Sequence, residues 1–135
     1  MELIEKRSYV SPHAPTASGP YSPALRIGDW VFISAQGPID AQTRKVIGSS
    51  IAEQTEAVLQ RVRGLLIAAG AVLSDVVKVT IYLRDANDLA KVDEVFEKHF
   101  IRTPRPARTV VQATLVGPSN QLIAIDCTAF SQSQK

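Results

Sequence analysis

Cysteine is almost absent from this chain: Cys127 is the single thiol in 135 residues. One thiol can form neither an internal disulfide nor a multi-thiolate zinc site, so the chain is expected to be intracellular or indifferent to redox compartment. An excess of charge of either sign is missing too. Fifteen Lys and Arg face thirteen Asp and Glu, a net charge of +2 that is too balanced for nonspecific polyanion binding and leaves open only a local basic patch. No apolar run reaches the roughly 18 residues that a membrane helix needs. Met1 to Glu5 carries acids where a signal peptide would carry bases. The expected setting is the cytoplasm, with no membrane partner. Histidine is scarce: only His13 and His99 occur. With no HxxxH spacing, no Ser/His/Asp set and no glycine-rich phosphate loop, neither a metal nor a cofactor is expected.

What is present suits one globular domain spanning 1–135. The chain is 45% hydrophobic, and a chain of this length buries about two thirds of the surface its unfolded form exposes. From Tyr9 to Pro23, prolines at 12, 15, 20 and 23 alternate with small and polar residues, which predicts an ordered loop carrying one aromatic, Tyr21. Ala24–Ile27, a Gly28–Asp29 turn and Trp30–Ala35 read as a hairpin. Gln36 to Ser49 shows no periodicity and reads as a long connection. Ser50-Ile51-Ala52-Glu53 then has the spacing of a capping box. An apolar stripe follows at Ile51, Val58, Leu59, Val62, Leu65, Leu66 and Ala69, stopped by Gly70. Its opposite face, with Glu53, Glu56, Gln60, Arg61 and Arg63, reads as solvated.

Val76 to Arg84 alternates with period two, Val77, Val79, Ile81 and Leu83 on one side and Val76, Lys78, Thr80, Tyr82 and Arg84 on the other. Asn87 or Asp88 caps a second helix with Leu89, Val92, Phe96 and Phe100 on one stripe. Two strands follow, Ala107–Leu115 and Gln121–Phe130, joined by a turn at 117–120, and Ser131–Lys135 reads as a frayed polar tail. The order strand, strand, helix, strand, helix, strand, strand predicts an α+β two-layer sandwich, a mixed sheet with two helices on one face. The other face, semi-polar with Tyr82, Val110 and Phe130, is a candidate for contact between subunits.

The last two strands hold the best candidates for chemistry. Parity groups Arg108, Val110, Gln112 and Thr114 on one face of the first. On the second, Ile123, Ile125, Cys127 and Ala129 form an apolar face, and Ala124, Asp126 and Thr128 fall on the side assigned to Arg108. A mid-sheet arginine needs an anion. Two readings stand: an ion pair with Asp126 or a neighbouring subunit's carboxylate, and a ligand site. His99 reads as a helix-end or interface histidine. The pairs Arg44-Lys45 and Arg61/Arg63 and the trio Arg102, Arg105 and Arg108 lack interleaved exposed aromatics, which argues against a nucleic-acid partner.

Gly19-Pro20-Tyr21-Ser22-Pro23-Ala24, Ser34-Ala35-Gln36, Ala69-Gly70, Ser74 to Val79, Arg84 to Asp88 and Pro106-Ala107-Arg108-Thr109, taken in order, resemble the YjgF/RidA family from about Gly19 to Phe130. The resemblance implies a chorismate-mutase-like fold, a homotrimer around a central β-barrel and three pockets between subunits. It implies hydrolysis of reactive 2-imino acids and their enamine tautomers to 2-oxo acids and ammonia, with a small 2-imino or 2-oxo carboxylate as partner. By the same resemblance Arg108 clamps the substrate carboxylate, Tyr21 forms a mobile wall and Ser34 and Ala35 line the pocket. Ala124 stands where deaminating members carry a glutamate that orients water, Val110 where a cysteine is frequent, and Asp93 where an asparagine is found. With Ala124 unable to act on water, Asp126, one same-face step away, is the candidate proton-handling group, and Asp93 of a neighbouring chain is the alternative. Alternative readings are a catalytically weak metabolite-binding or sensing protein and, third, an endoribonuclease.

Overall fold

The structure, a computed structural model, describes residues 4–132. The elements are β1 (Lys6–Tyr9), β2 (Ala24–Ile27), β3 (Trp30–Gln36), α1 (Ile51–Ala68), β4 (Val76–Leu83), α2 (Leu89–His99), β5 (Ala107–Gln112) and β6 (Ile123–Phe130). One six-stranded sheet runs β1-β2-β3-β6-β4-β5. Only β4 and β5 pair in parallel, so the sheet is mixed, and both helices pack against one face. The expected α+β layering holds, with one strand added. β1 carries Lys-Arg-Ser-Tyr, has no apolar alternation, and is an edge strand paired only to β2. Tyr9 therefore ends a strand rather than starting the proline loop.

Helix α1 begins at the predicted box: the Glu53 N–H donates to Ser50 Oγ at 3.1 Å, and the Ser50 N–H donates to Glu53 Oε1 at 3.3 Å. The Ser50 hydroxyl and then its amide, both donating to the carboxylate, hold the Glu53 carboxyl below its ordinary pKa. The stripe of α1 is buried along its length, and Gly70 leaves the helix at φ +84°, a conformation glycine adopts freely. Arg26 of β2 donates from Nη1 to the Ala69 carbonyl at 2.8 Å, satisfying an orphan carbonyl at the helix end. Gln54, almost fully buried on α1, donates to the carbonyls of Gly48 and Asn120 and accepts from the Leu122 N–H at 2.7 Å, which fixes the approach to β6.

Two details differ from the sequence reading. Alternation along β4 is broken by a register shift between Val76 and Lys78, so Val76 is buried and Val77 is 42% exposed, the reverse of the period-two expectation. A β-bulge inserts one residue and flips every side chain before it. The polar tail is not all frayed: the Ser131 N–H donates to the Asp29 carbonyl at 2.8 Å and its own carbonyl accepts from Arg26. Residues 133–135, and residues 1–3 of the expected leaderless start, lie outside the described residues. No helix among the described residues is long and apolar enough to cross a membrane.

Ile123, Ile125, Cys127 and Ala129 form the buried face of β6 as expected. Burial, and then the Asp126 charge, push the Cys127 thiol up to about 12, which leaves it protonated and inert at neutral pH. The α1 cap yields a first prediction. Ser50→Ala should cost about 0.5–2 kcal/mol in chemical unfolding at neutral pH. A carboxyl whose folded pKa lies below its unfolded one stabilises above the unfolded value and loses that contribution as pH falls through the folded one, so the gap between wild type and variant should narrow in acid.

Candidate functional site

A cleft of about 520 Å³ opens between the proline loop, the end of β3 and the segment that follows β5. The loop is shaped from within and tied from below. The Tyr21 N–H donates to the Gly19 carbonyl at 2.9 Å, the Ser34 hydroxyl to the Ser22 carbonyl at 2.7 Å and the Ser34 N–H to the Pro23 carbonyl at 2.9 Å. Ser34 thus positions the wall on which Tyr21 stands, 52% exposed, and is not itself part of the lining. A register shift between Ile33 and Gln36 in β3 leaves Ala35 exposed at the cleft. Across the β4–β6 pairing, Tyr82 lies directly opposite Ala124, and both line the cleft.

Asp126 does not line the cleft, but it reaches it through Tyr82. The Tyr82 hydroxyl donates to Asp126 Oδ2 at 2.7 Å. That hydrogen bond, then burial, then the carboxylate's charge raise the Tyr82 pKa above its ordinary value. Gln121 completes the floor. Its amide donates to the Ile123 carbonyl at 3.1 Å, and a Cβ at Gly37 would stand 2.6 Å from its Nε2, so only glycine leaves that amide where it is. Arg44, Tyr82 and Gln121 were not singled out as site residues from sequence. Gly37 and Gly117 are the local signals, since a Cβ at either would meet the Gln121 side chain and a glycine at a close approach marks a neighbouring group.

Arg108 lies elsewhere. In the parallel β4–β5 register it pairs with Val79, and Val110 pairs with Ile81, both of which face the helices. Asp126 and Ala124 pair with Thr80 and Tyr82 on the other face. Parity within each strand held, but the two strands were matched the wrong way round, because β5 carries valines on both faces and offered no apolar side to orient it. Arg108 therefore does not pair with Asp126. Its Nη1 donates to Asp93 Oδ1 of α2 at 2.5 Å, and its guanidinium sits 5.7 Å from the Phe96 ring centre, within cation–π range. Val110 packs against the core rather than on the open face. Asp93, Phe96 and Arg108 line a second cavity of about 270 Å³ with Glu97, Phe100, Arg105 and Pro106. Of the sequence-predicted residues, one chain thus brings Tyr21, Ala35 and Ala124 to one cavity and Arg108 and Asp93 to another.

The charged face of α1 is not simply solvated. His99 Nε2 lies 2.8 Å from Glu56 Oε2, and Arg63 lies 3.3 Å from its Nδ1, so this histidine ties α1 to α2. Among the described residues no three His, Cys, Asp or Glu side chains group closely enough to hold a metal ion.

The model of the family described as Endoribonuclease L-PSP matches residues 11–131. A RutC family protein of Pyrococcus abyssi is 40% identical over 119 residues, covering 88% of this chain and 92% of that one. A 2-iminobutanoate/2-iminopropanoate deaminase of Dermatophagoides farinae is 33% identical over 124 residues, covering 92% and 95%. The crystal structure of E. coli TdcF with bound serine superposes with a TM-score of 0.85 at 29% identity, covering 93% of this chain and 99% of that one.

The Tyr82–Asp126 bond can be tested directly. A tyrosine whose folded pKa is raised keeps the associated stability below its unfolded pKa and loses it only as pH climbs through the folded value. Asp126→Asn removes the acceptor's charge, so ultraviolet difference titration should show the Tyr82 phenol ionising at lower pH than in the wild type. An unchanged titration would contradict the bond.

Proposed function

From a chain that belongs to the endoribonuclease L-PSP family, the YjgF/RidA group, we infer a hydrolytic deaminase of small 2-imino acids and their enamine tautomers, working in a homotrimer whose sites each take residues from two copies. The observation that carries this reading is the separation just described. Arg108 is fixed by Asp93 and Phe96 on an edge strand, with 31% of its side chain exposed, outside its own chain's Tyr21 cleft. A second copy of the chain supplies the missing half of each cavity. The sheet face away from the helices supports assembly. Trp30 and Phe32 alternate with buried Val31 and Ile33, Phe130 stacks edge-on against Trp30 at 5.0 Å, and Val111 stands on the same side, all of them about 40% exposed. Apolar surface of this kind on one face is a contact surface.

In the joined site a guanidinium offers parallel N–H donors to a substrate α-carboxylate, and Arg108 fills that role. Water adds to the imine carbon, one of its protons passing to the nitrogen, and the carbinolamine then expels ammonia as the carbonyl forms. Ala124 carries no group to move those protons. The Tyr82 hydroxyl beside it, held by Asp126, and Tyr21 on the wall are the two phenols of the cleft, so Asp126 acts through Tyr82. Loss of a general base costs about 10²–10⁴-fold, and imines hydrolyse fairly readily unaided, so the activity is slow. Ala124 also favours the second reading, a protein that binds or senses a small 2-oxo or amino acid without turning it over. An endoribonuclease ranks third, since the cleft has neither a paired acid and base nor a phosphate cradle.

Threonine dehydratase can generate 2-iminobutanoate while 2-oxobutanoate release is followed against semicarbazide capture. The wild-type chain should accelerate release, Arg108→Ala should abolish the acceleration, and Ala124→Glu should raise it by tenfold or more, toward the roughly 10²–10⁴-fold contribution of a general base. No acceleration over buffer, with 2-oxobutanoate still bound through Arg108, would favour the binding reading. Deaminase activity unchanged by Ala124→Glu would contradict the role given to that position.

A further inference from the structure

We propose that Arg44 is a second anion-binding residue of the Tyr21 cleft and selects ligands with two carboxylates, the 2-imino and 2-oxo dicarboxylic acids. This deepens the preceding reading and rests on it for the end of the ligand that Arg108 would hold. Three observations carry it. Arg44 is the only residue other than glycine, among the described residues, whose backbone lies in the left-handed region, at φ +63°. Side-chain-bearing residues seldom adopt that conformation, and it persists only where the surroundings over-determine it. Here they do. Asp40 Oδ1 accepts from the Gln42 and Thr43 N–H groups at 2.9 and 2.8 Å, the Arg44 N–H donates to the Asp40 carbonyl at 2.9 Å, and the Asp40 N–H donates to the Lys45 carbonyl at 2.8 Å.

The tight turn so formed aims the side chain. Arg44 Nη2 donates to Thr16 Oγ1 at 3.1 Å, on the same proline loop that carries Tyr21, and Arg44 lines the cleft. Thr16 uses one of the guanidinium's five N–H donors, and the planar fork still fits a carboxylate. Charge completes the case. Among the described residues lining this cleft, Arg44 is the single formal charge, and no carboxylate shares the lining with it. A strained backbone and a cation in a cleft without an anion fit a ligand that brings one. With the α-carboxylate assigned to Arg108 of a neighbouring copy, the anion left for Arg44 is a second carboxylate at the far end of a four- or five-carbon acid. The cleft's 520 Å³ accommodates such a molecule.

The test is calorimetric titration of the assembled protein with 2-oxoglutarate and 2-oxobutanoate, in the wild type and in Arg44→Gly and Arg44→Lys. Glycine suits the left-handed backbone, so Arg44→Gly should not lower the melting temperature. Charged hydrogen bonds of this kind are worth about tenfold to a hundredfold in affinity, so the wild type should prefer the dicarboxylate by that factor and Arg44→Gly should erase the preference. Arg44→Lys, which keeps the charge and loses the fork, should retain part of it. Equal affinity for the two acids in the wild type, or a preference unmoved in Arg44→Gly, overturns the inference while Arg108-dependent binding of 2-oxobutanoate leaves the deaminase reading standing. Binding of neither acid overturns both.

Discussion

The antiparallel pairing of β4 with β6 sets Ile81 against Ile125 and Leu83 against Ile123 on one face of the sheet, and Tyr82 against Ala124 and Thr80 against Asp126 on the other. The first set packs under α1 and α2 with almost no exposed surface, and burying several large aliphatic side chains is the main source of stability in a domain this size. The second set has no helix over it. Core and cleft are therefore two sides of one ladder: the alternation that buries Ile81 and Ile125 also delivers Tyr82 and Ala124 to the cleft. A change in register of one residue would exchange them.

Around that ladder four of the nine arginines, Arg26, Arg61, Arg84 and Arg105, donate to backbone carbonyls. Arg26 binds the carbonyls that end α1 and the 28–29 turn, Arg84 donates to the Gln121 carbonyl at 2.7 Å, and Arg105 donates to the Phe100 carbonyl at 2.8 Å. Each neutralises an otherwise orphaned acceptor at the end of a helix or strand. Arg44 and Arg108 are different. Arg44 bonds to the Thr16 hydroxyl and lines the Tyr21 cleft, where no carboxylate shares the lining, whereas Arg108 pairs with the Asp93 carboxylate beside the second cavity.

The parts of this arrangement legible in the sequence were those written in local pattern. The capping box at Ser50, the stripe of α1, the stop at Gly70 and the buried face of β6 follow from periodicity and glycine chemistry within one element. What was not legible depended on relations between elements. β1 is polar and exists because β2 offers it an edge. The side on which Arg108 falls depends on how β5 pairs with β4, and a strand with Val110 and Val111 adjacent gives no apolar side to decide it. The bulge that buries Val76 and exposes Val77 is invisible to a period-two count. Arg44 reads as an ordinary loop cation until its left-handed backbone and its bond to Thr16 are seen. The family resemblance, by contrast, extended correctly over most of the chain, because the motifs that carry it are short and ordered.

The central claim is that each working site is made by two copies of the chain, one giving Arg108 and the other the Tyr21 cleft. Mixing subunits tests this most directly. Arg108→Ala and Tyr21→Ala chains, each deficient in binding 2-oxobutanoate alone, are unfolded together, refolded and titrated again. In a cyclic assembly of randomly mixed chains, roughly one site in four receives an intact Arg108 from one copy and an intact cleft from the next. The account predicts recovery of about that fraction of wild-type binding. No recovery from a mixture shown to have exchanged subunits would contradict it.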